Sequence, residues 1–404
     1  MLTVSEARAR LLAALVPLPA ETVPLRHAAG RVLAADIHAP FDLPAFPNAS
    51  MDGFAVRAAD TAAAPVRLAV TADIPAGIVP AGRLQPGQAA RIMTGAHMPD
   101  GADAVVPAEQ TDFHSRDPGS AAPPFVNILA PAAPGDNVRA RAADVTLGDL
   151  LIPRGARLRA QHLGMAAMLG IGALQVTRQP RVALLSTGDE LLPPGSSPAP
   201  GHIFESNSLT LGTLVEEAGG LVSQLGIAAD RADSVESLLD RAVAERADLI
   251  VSSAGVSVGA FDFVKSVVEA HGSLDFWRVN MRPGKPLAFG LYRGVPFVGL
   301  PGNPVSAFVG FEVFLRYALA RLLAMAQPAR PAVRARLVEP VKSDGRESYL
   351  RGVCAWEPDG VTVQLTGHQG SGNQFSLVQA NSLVIIPASV RELAAGDEVE
   401  IWLL

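Results

Sequence analysis

The chain opens on apolar residues at helical spacing. Thr3 and Glu6 have capping-box spacing ahead of an Ala/Leu-rich stretch, which predicts a helix over residues 4 to 15, stopped by Pro17 and Pro19. From about 41 to 140 the pattern changes to short apolar runs, VRLAV, ARIMTG, DAVVPAEQ and PFVNILAP, broken by Pro and Gly, as strands joined by tight turns are. Helix-compatible residues return between 149 and 170 and end at Gly170, so the β-rich part (41–140) is expected to be inserted into an elongated N-terminal domain made of 1–40 and 141–177. From 178 onward strand and helix alternate. RVALLST is followed by a helical pattern over 206 to 218, with Leu209, Leu214, Val215 and Ala218 on one face and Gly219-Gly220 as its stop. LVSQLGIA comes next, then Val235, Leu238, Leu239, Ala242 and Val243 at helical spacing behind Asp233 and Glu236, themselves at capping-box spacing, then DLIVSSAG.

A helix over 262 to 270, a strand LDFWRVN, a hairpin of LAFGLY and VPFVGL about Arg293-Gly294 and a closing helix over 304 to 325 complete this part. Such βαβ units build a parallel sheet with helices on both faces and ligands beyond the carboxyl ends of the strands. From 329 onward strands return in VRARLVEPV, YLRGVCAW, VTVQLTG, SLVIIP and EVEIWLL, which predict a small barrel or sandwich. The expected fold class is therefore multidomain α/β plus β: an inserted β-rich domain, a parallel three-layer α/β domain over 178–328 and a C-terminal β-barrel-like domain over 329–404.

Composition narrows the choice of function. A length of 404 residues fits roughly two to three domains, and tracing the pattern raises the count to about four. The net charge of −6 offers no broad basic surface to nucleic acid or an anionic membrane, although a local basic pocket remains possible. With Cys354 as the single cysteine, neither a disulfide nor a Cys-based metal centre can form within the chain. The first residues carry Glu6, Arg8 and Arg10 where a signal peptide would be apolar, and no segment is long and uncharged enough for a membrane span, so a cytoplasmic location is expected.

The loops that follow the predicted strands share a character. Gly188-Asp189-Glu190, Asp230 and the stretch from Ser252 to Asp262 would converge at one edge of a parallel sheet. Ser252, Ser253, Gly255, Ser257 and Gly259 offer hydroxyls and open backbone N–H groups beside a helix start, which suits a phosphate. No GK[ST] follows, so this is not a P-loop. Carboxylates beside a phosphate repel it unless a hard cation intervenes, and magnesium binds through one or two carboxylates plus substrate phosphates. MRPGKP adds Arg282 and Lys285; LPGNPVSA adds Pro301, Gly302, Asn303 and Ser306 at a helix start. Asp52, Thr94, Arg351 and Ser371 stand in comparable polar loops or at a strand start. Turn formation alone accounts for each loop; their shared position is what points to a site. The histidines show no HxH or HExxH spacing, and no Ser/His/Asp order stands out.

SMDGFAV, RIMTGAHMPDGADAVVPAEQ, LLSTGDEL, SSAGVSVGAFDFVK, RPGKP, LPGNPVSA and TGHQGSGNQFSLVQANSLVIIP occur in this order from about residue 41 to the end. In them the chain resembles the molybdopterin molybdenumtransferase family, the MoeA type that also forms the C-terminal part of gephyrin. The resemblance implies an enzyme that takes adenylylated molybdopterin and molybdate and, with magnesium, yields molybdenum cofactor and AMP. It implies a homodimer and assigns the α/β domain to molybdopterin binding, while the charge balance and the lack of a long apolar segment predict no nucleic acid or membrane partner. It makes Asp262 the carboxylate that supports magnesium and cleavage of the adenylyl linkage, with Glu190 and Asp230 assisting and Asp52 a further catalytic carboxylate. Ser252, Ser253, Gly255, Ser257, Gly259, Pro301, Gly302 and Asn303 would hold the pterin and its phosphate. Arg282, Lys285, Ser306, Arg351 and Ser371 would gather molybdate, and Asp52, Thr94 and Asp144 would complete the cleft across the dimer. Three departures from the family pattern stand out: Ala254 and Ala142-Ala143 where Gly and Gly-Glu are frequent, and Arg282 where lysine is frequent. A molybdopterin adenylyltransferase-like enzyme and a non-catalytic gephyrin-like scaffold are the competing readings, and the residues do not separate molybdate from tungstate.

Overall fold

Two apolar runs set the central sheet. Arg181–Thr187 is buried at every position after the first and Leu249–Ser253 at all of them, the pattern of strands covered on both faces. In the computed structural model, which describes every residue except 114–119, 256–262 and 327–328, these two strands pair in parallel. Leu221–Ala228 and Val295–Leu300 extend the parallel set on either side. The hairpin expected at Arg293-Gly294 is present: both residues have positive φ, 46° and 84°, as a two-residue hairpin turn requires, and Pro286–Tyr292 therefore runs against its neighbours. Gly272–Arg278 completes the six-stranded sheet.

Helices cover both faces. Leu211, Leu214 and Val215 of Asn207–Glu217 share one core with Val305, Val309 and Val313 of the closing helix and with Val4, Ala7 and Leu11 of the first helix. Val235, Leu239 and Ala242 of Ala232–Ala244 pack with Val264, Val267 and Val268 of Phe263–His271 on the other face. The capping box at Thr3 and Glu6 forms in full ahead of Val4–Ala13. That expected at Asp233 does not: Arg231 is the cap, Asp233 lies in the first turn, and Glu236 faces His271 at 2.9 Å. The closing helix runs as Pro304–Gly310, a π-helical turn Phe311–Leu315 and Arg316–Leu322.

Beyond it, Glu347–Glu357, Gly360–Leu365, Ala332–Leu337, Glu398–Leu403 and Ser382–Ile386 close into a barrel through the pairing of the first with the last. Cys354 is buried in its interior as a free thiol. Met281–Arg282 joins the edge of this barrel in parallel with Glu347–Glu357, which fixes the MRPGKP loop to it. All these elements belong to one compact unit, Met1–Ala35 with Arg154–Ala167 and Ile171–Leu404.

The other unit is Asp36–Pro153 with Met168–Gly170. It holds a five-stranded sheet in the order Ala104–Pro107, Gly53–Val56, Gln88–Ile92, Val66–Ile74, Phe125–Ile128. Gly53 is obligatory there, because a Cβ would stand 2.1 Å from the Val106 carbonyl oxygen. No helix among the described residues is long and apolar enough to cross a membrane.

Candidate functional site

Register brings the strand ends into line. Thr187 lies opposite Ala228, Ser186 opposite Ser253, and Ser253 opposite Leu300, so the loops after these strands open at one edge of the sheet. A cleft of about 710 Å³ opens there, bounded also by the MRPGKP loop and by barrel residues. Glu190, Ser253, Gly255, Pro301, Gly302 and Asn303 line it, and so do Arg282, Lys285, Ser306, Arg351 and Ser371.

Ser252 and Asp230 lie elsewhere. Side chains alternate along a strand, so Ser252 faces the opposite side of the sheet from Ser253, and its hydroxyl is buried there without a partner among the described residues. Asp230 does not line the cleft. Its N–H donates to Asp189 Oδ1 at 3.1 Å, and burial, joined by the charges of Asp189 and Glu190, lifts its carboxyl above the ordinary range. Ser257, Gly259 and Asp262 fall outside the described residues.

Backbone shape makes room for the polar groups. Gly188 has φ 142°, and a Cβ on it would come within 2.4 Å of the Glu190 carboxylate, so glycine lets that side chain fold back over the turn. Ala254 and Gly255 both have φ 71°. Glycine adopts this conformation freely, whereas an alanine there carries about 1–2 kcal/mol of strain. The Ala254 methyl fills space beside the PGNP turn, 3.0 Å from where a Cβ on Gly302 would stand.

The cationic end of the cleft is built on the barrel. Arg351 is fully buried; its Nε donates to Ser376 Oγ at 3.0 Å and its Nη2 to the Gly370 carbonyl at 3.1 Å. Nη1 has no partner, and no carboxylate pairs with Arg351 or Lys285 among the described residues. Burial, aided by the charge of Arg282, brings the Arg351 guanidinium down to about 10. Such a group is costly to bury without a counter-charge, so the site is arranged for an anion. Ser306 is buried in the first turn of the closing helix, and the Ser371 carbonyl accepts the Val305 N–H at 3.1 Å, which seats the barrel loop on that helix start.

Sequence reasoning missed several lining residues, among them Glu205, Asn207, Arg346 and Gln369. Asn207 Nδ2 donates to Ser253 Oγ and to the Gly302 carbonyl, both at 2.7 Å, tying the serine-rich strand end to the PGNP turn. Glu205 accepts the Ser186 hydroxyl at 3.0 Å and the Ser208 N–H at 2.8 Å. The signal was the run Glu205-Ser206-Asn207-Ser208 ahead of an apolar stretch, which reads equally as a helix start. Gln369 holds the Arg351 backbone through its N–H at 2.9 Å and carbonyl at 3.0 Å. No group of three or more His, Cys, Asp or Glu side chains among the described residues is placed to hold a metal ion.

In the other unit, Asp52 and Thr94 meet: the Thr94 N–H and hydroxyl both donate to Asp52 Oδ1, at 2.7 and 2.6 Å. Asp144 instead pairs with Arg139. Ala142, two residues earlier, takes φ 60°, in the left-handed region.

Comparison with known proteins places the chain in a family. The MoeA N-terminal region (domain I and II) matches residues 2–170, a probable molybdopterin binding domain matches 183–321, and the MoeA C-terminal region (domain IV) matches 334–404. The molybdopterin molybdenumtransferase 2 of Mycobacterium tuberculosis is 41% identical over 395 residues, 94% of each chain. The chain belongs to the molybdopterin molybdenumtransferase family. Another member, from Haemophilus influenzae, is 35% identical over 99% of this chain and 98% of its own. A crystal structure of a molybdopterin biosynthesis MoeA protein from Pyrococcus horikoshii superposes with a TM-score of 0.83 at 33% identity, covering 100% of this chain and 99% of that one. Within the family match, the cleft draws on both the 183–321 segment and the 334–404 segment.

Proposed function

We propose that the protein is a molybdopterin molybdenumtransferase that takes adenylylated molybdopterin and molybdate, releases AMP and leaves molybdenum cofactor. The observation that carries this reading is the buried Arg351, whose Nη1 has no partner among the described residues, in a cleft that also exposes Lys285. A dianion with several oxygens would answer that arrangement, accepting from Arg351, Lys285 and Arg282 and from the hydroxyls of Ser306 and Ser371. The pterin and its phosphate would lie along Ser253, Gly255 and the Pro301-Gly302-Asn303 turn, where Asn207 keeps the two loops in register.

Magnesium belongs to the same proposal, with Glu190 and Asp262 as its protein ligands. Supporting it is the crowding of Asp189, Glu190 and Asp230, whose mutual repulsion a dication would relieve. Two protein carboxylates suffice where phosphates supply the remaining oxygens. When bound, magnesium would offset phosphate charge as AMP leaves. A homodimeric, cytoplasmic enzyme completes the reading.

The test is direct. Purified protein incubated with adenylylated molybdopterin, magnesium and molybdate is expected to release AMP only when molybdate is present, and Asp262→Asn is expected to slow that release greatly with folding intact. Absence of molybdate-dependent AMP release would overturn the proposal; adenylylation of bare molybdopterin from ATP would replace it with an adenylyltransferase. Rescue of cofactor synthesis by Asp262→Asn would point to a scaffold.

A further inference from the structure

Four cations line the cleft, Arg282, Lys285, Arg346 and Arg351, and one carboxylate just behind them contacts two of the four. Asp344 accepts from Arg346 Nε at 3.2 Å through Oδ1 and 3.1 Å through Oδ2, and its Oδ1 also takes the Arg346 backbone N–H at 3.1 Å. The same carboxylate lies 3.8 Å from Arg282 Nη1. Arg346 in turn donates through Nη1 to the Met281 carbonyl at 3.1 Å, so one brace spans the barrel loop and the MRPGKP loop.

We propose that Asp344 is a positioning residue that sets the strength of the anion site: it orients Arg282 and Arg346 and cancels part of their charge, so that a dianion binds reversibly rather than being held. This inference rests on the reading of the cationic end as the oxyanion site. The side chain of Arg346, with burial opposing, brings the Asp344 carboxyl down to about 2, so its charge is constant over the working pH range.

Removing that charge has two opposed effects. Loss of the brace would loosen the arginines and weaken binding; loss of the negative charge would leave the cleft more positive and tighten it. Charge decides, because the MRPGKP loop keeps its other anchors: Met281 pairs with Glu347 and Arg282 with Ser348, and the Arg346 bond to Met281 does not involve the carboxylate. Asp344 is solvent-exposed, so screening reduces the effect to about three- to ten-fold in affinity at low salt.

Calorimetric titration of the whole protein with molybdate, and separately with sulfate, tests this. Asp344→Asn is expected to bind both dianions about three- to ten-fold more tightly than the wild type, with the gain shrinking as ionic strength rises. The KM for molybdate should fall without a rise in kcat, and Asp344→Glu, which keeps the charge, should return the wild-type affinity. Asp344→Ser provides the same charge removal should the asparagine variant lose its native melting transition. Unchanged or weaker anion binding in a folded charge-removal variant overturns the inference while leaving the oxyanion reading intact. A wild-type protein that neither binds nor uses molybdate overturns both.

Discussion

Two buried charged groups in the same unit have opposite fates. Glu312, fully buried on the π-helical turn, is answered on both oxygens, by Arg316 at 2.6 and 2.8 Å and by Arg330 at 3.1 and 2.9 Å. Arg351, equally buried, meets only neutral partners among the described residues, and none of them answers Nη1. The closed cluster joins the closing helix to the segment entering the barrel; the open one faces a cleft. Burial by itself therefore does not mark a site, whereas burial without a counter-charge, beside space for a ligand, does.

The contrast is most severely tested by breaking the closed cluster. Glu312→Ala strands two arginines and is expected to cost about 3–5 kcal/mol, read as a large loss in Tm or denaturant midpoint. At Arg351 the expectation is reversed: Arg351→Met should melt near the wild type yet lose molybdate-dependent AMP release by about 100-fold or more. Molybdate or sulfate should raise the Tm of the wild type but not of Arg351→Met, because only the open cluster gains a partner on binding. A large stability loss in Arg351→Met would erase the distinction.

A smaller effect is expected at Ala254. Replacing it with glycine relieves the left-handed conformation and should stabilise by about 1 kcal/mol, measurable by denaturant titration.

The closed cluster also predicts the smallest effect, a pH dependence. Burial raises the Glu312 carboxyl, but the bonds from Arg316 and Arg330 outweigh it, leaving it below the ordinary 4.5. Its contribution to stability is thus complete above 4.5 and is lost as pH falls through the lower folded value; Glu312→Gln should lack this part of the acid limb.

Local pattern carried far. Alternation and helical spacing predicted the sheet strands, the helices on both faces and the five barrel strands, because each depends on which side of a short segment is buried. Thr3 and Asp233 begin the same capping-box spacing, yet only the first box formed: at the second, Arg231 takes the N-cap position and Glu236 faces a histidine on another helix. Motif order located the loops that build the cleft, and resemblance nominated part of its lining, including Glu190, Arg282, Lys285 and Arg351.

What the sequence determined by itself, then, is the set of elements, the loops that carry polar groups and the family. Tertiary structure decided which of those groups act together. Register turned Ser253 rather than Ser252 toward the cleft. Packing brought Asn207, Arg346 and Gln369 from outside the conspicuous motifs, and the Gly370 and Ser376 segment covers Arg351, which has no carboxylate partner among the described residues. Patterns of burial are written in neighbouring residues, but charge compensation depends on partners far apart in the chain, and only the folded arrangement shows which charge is left for a ligand.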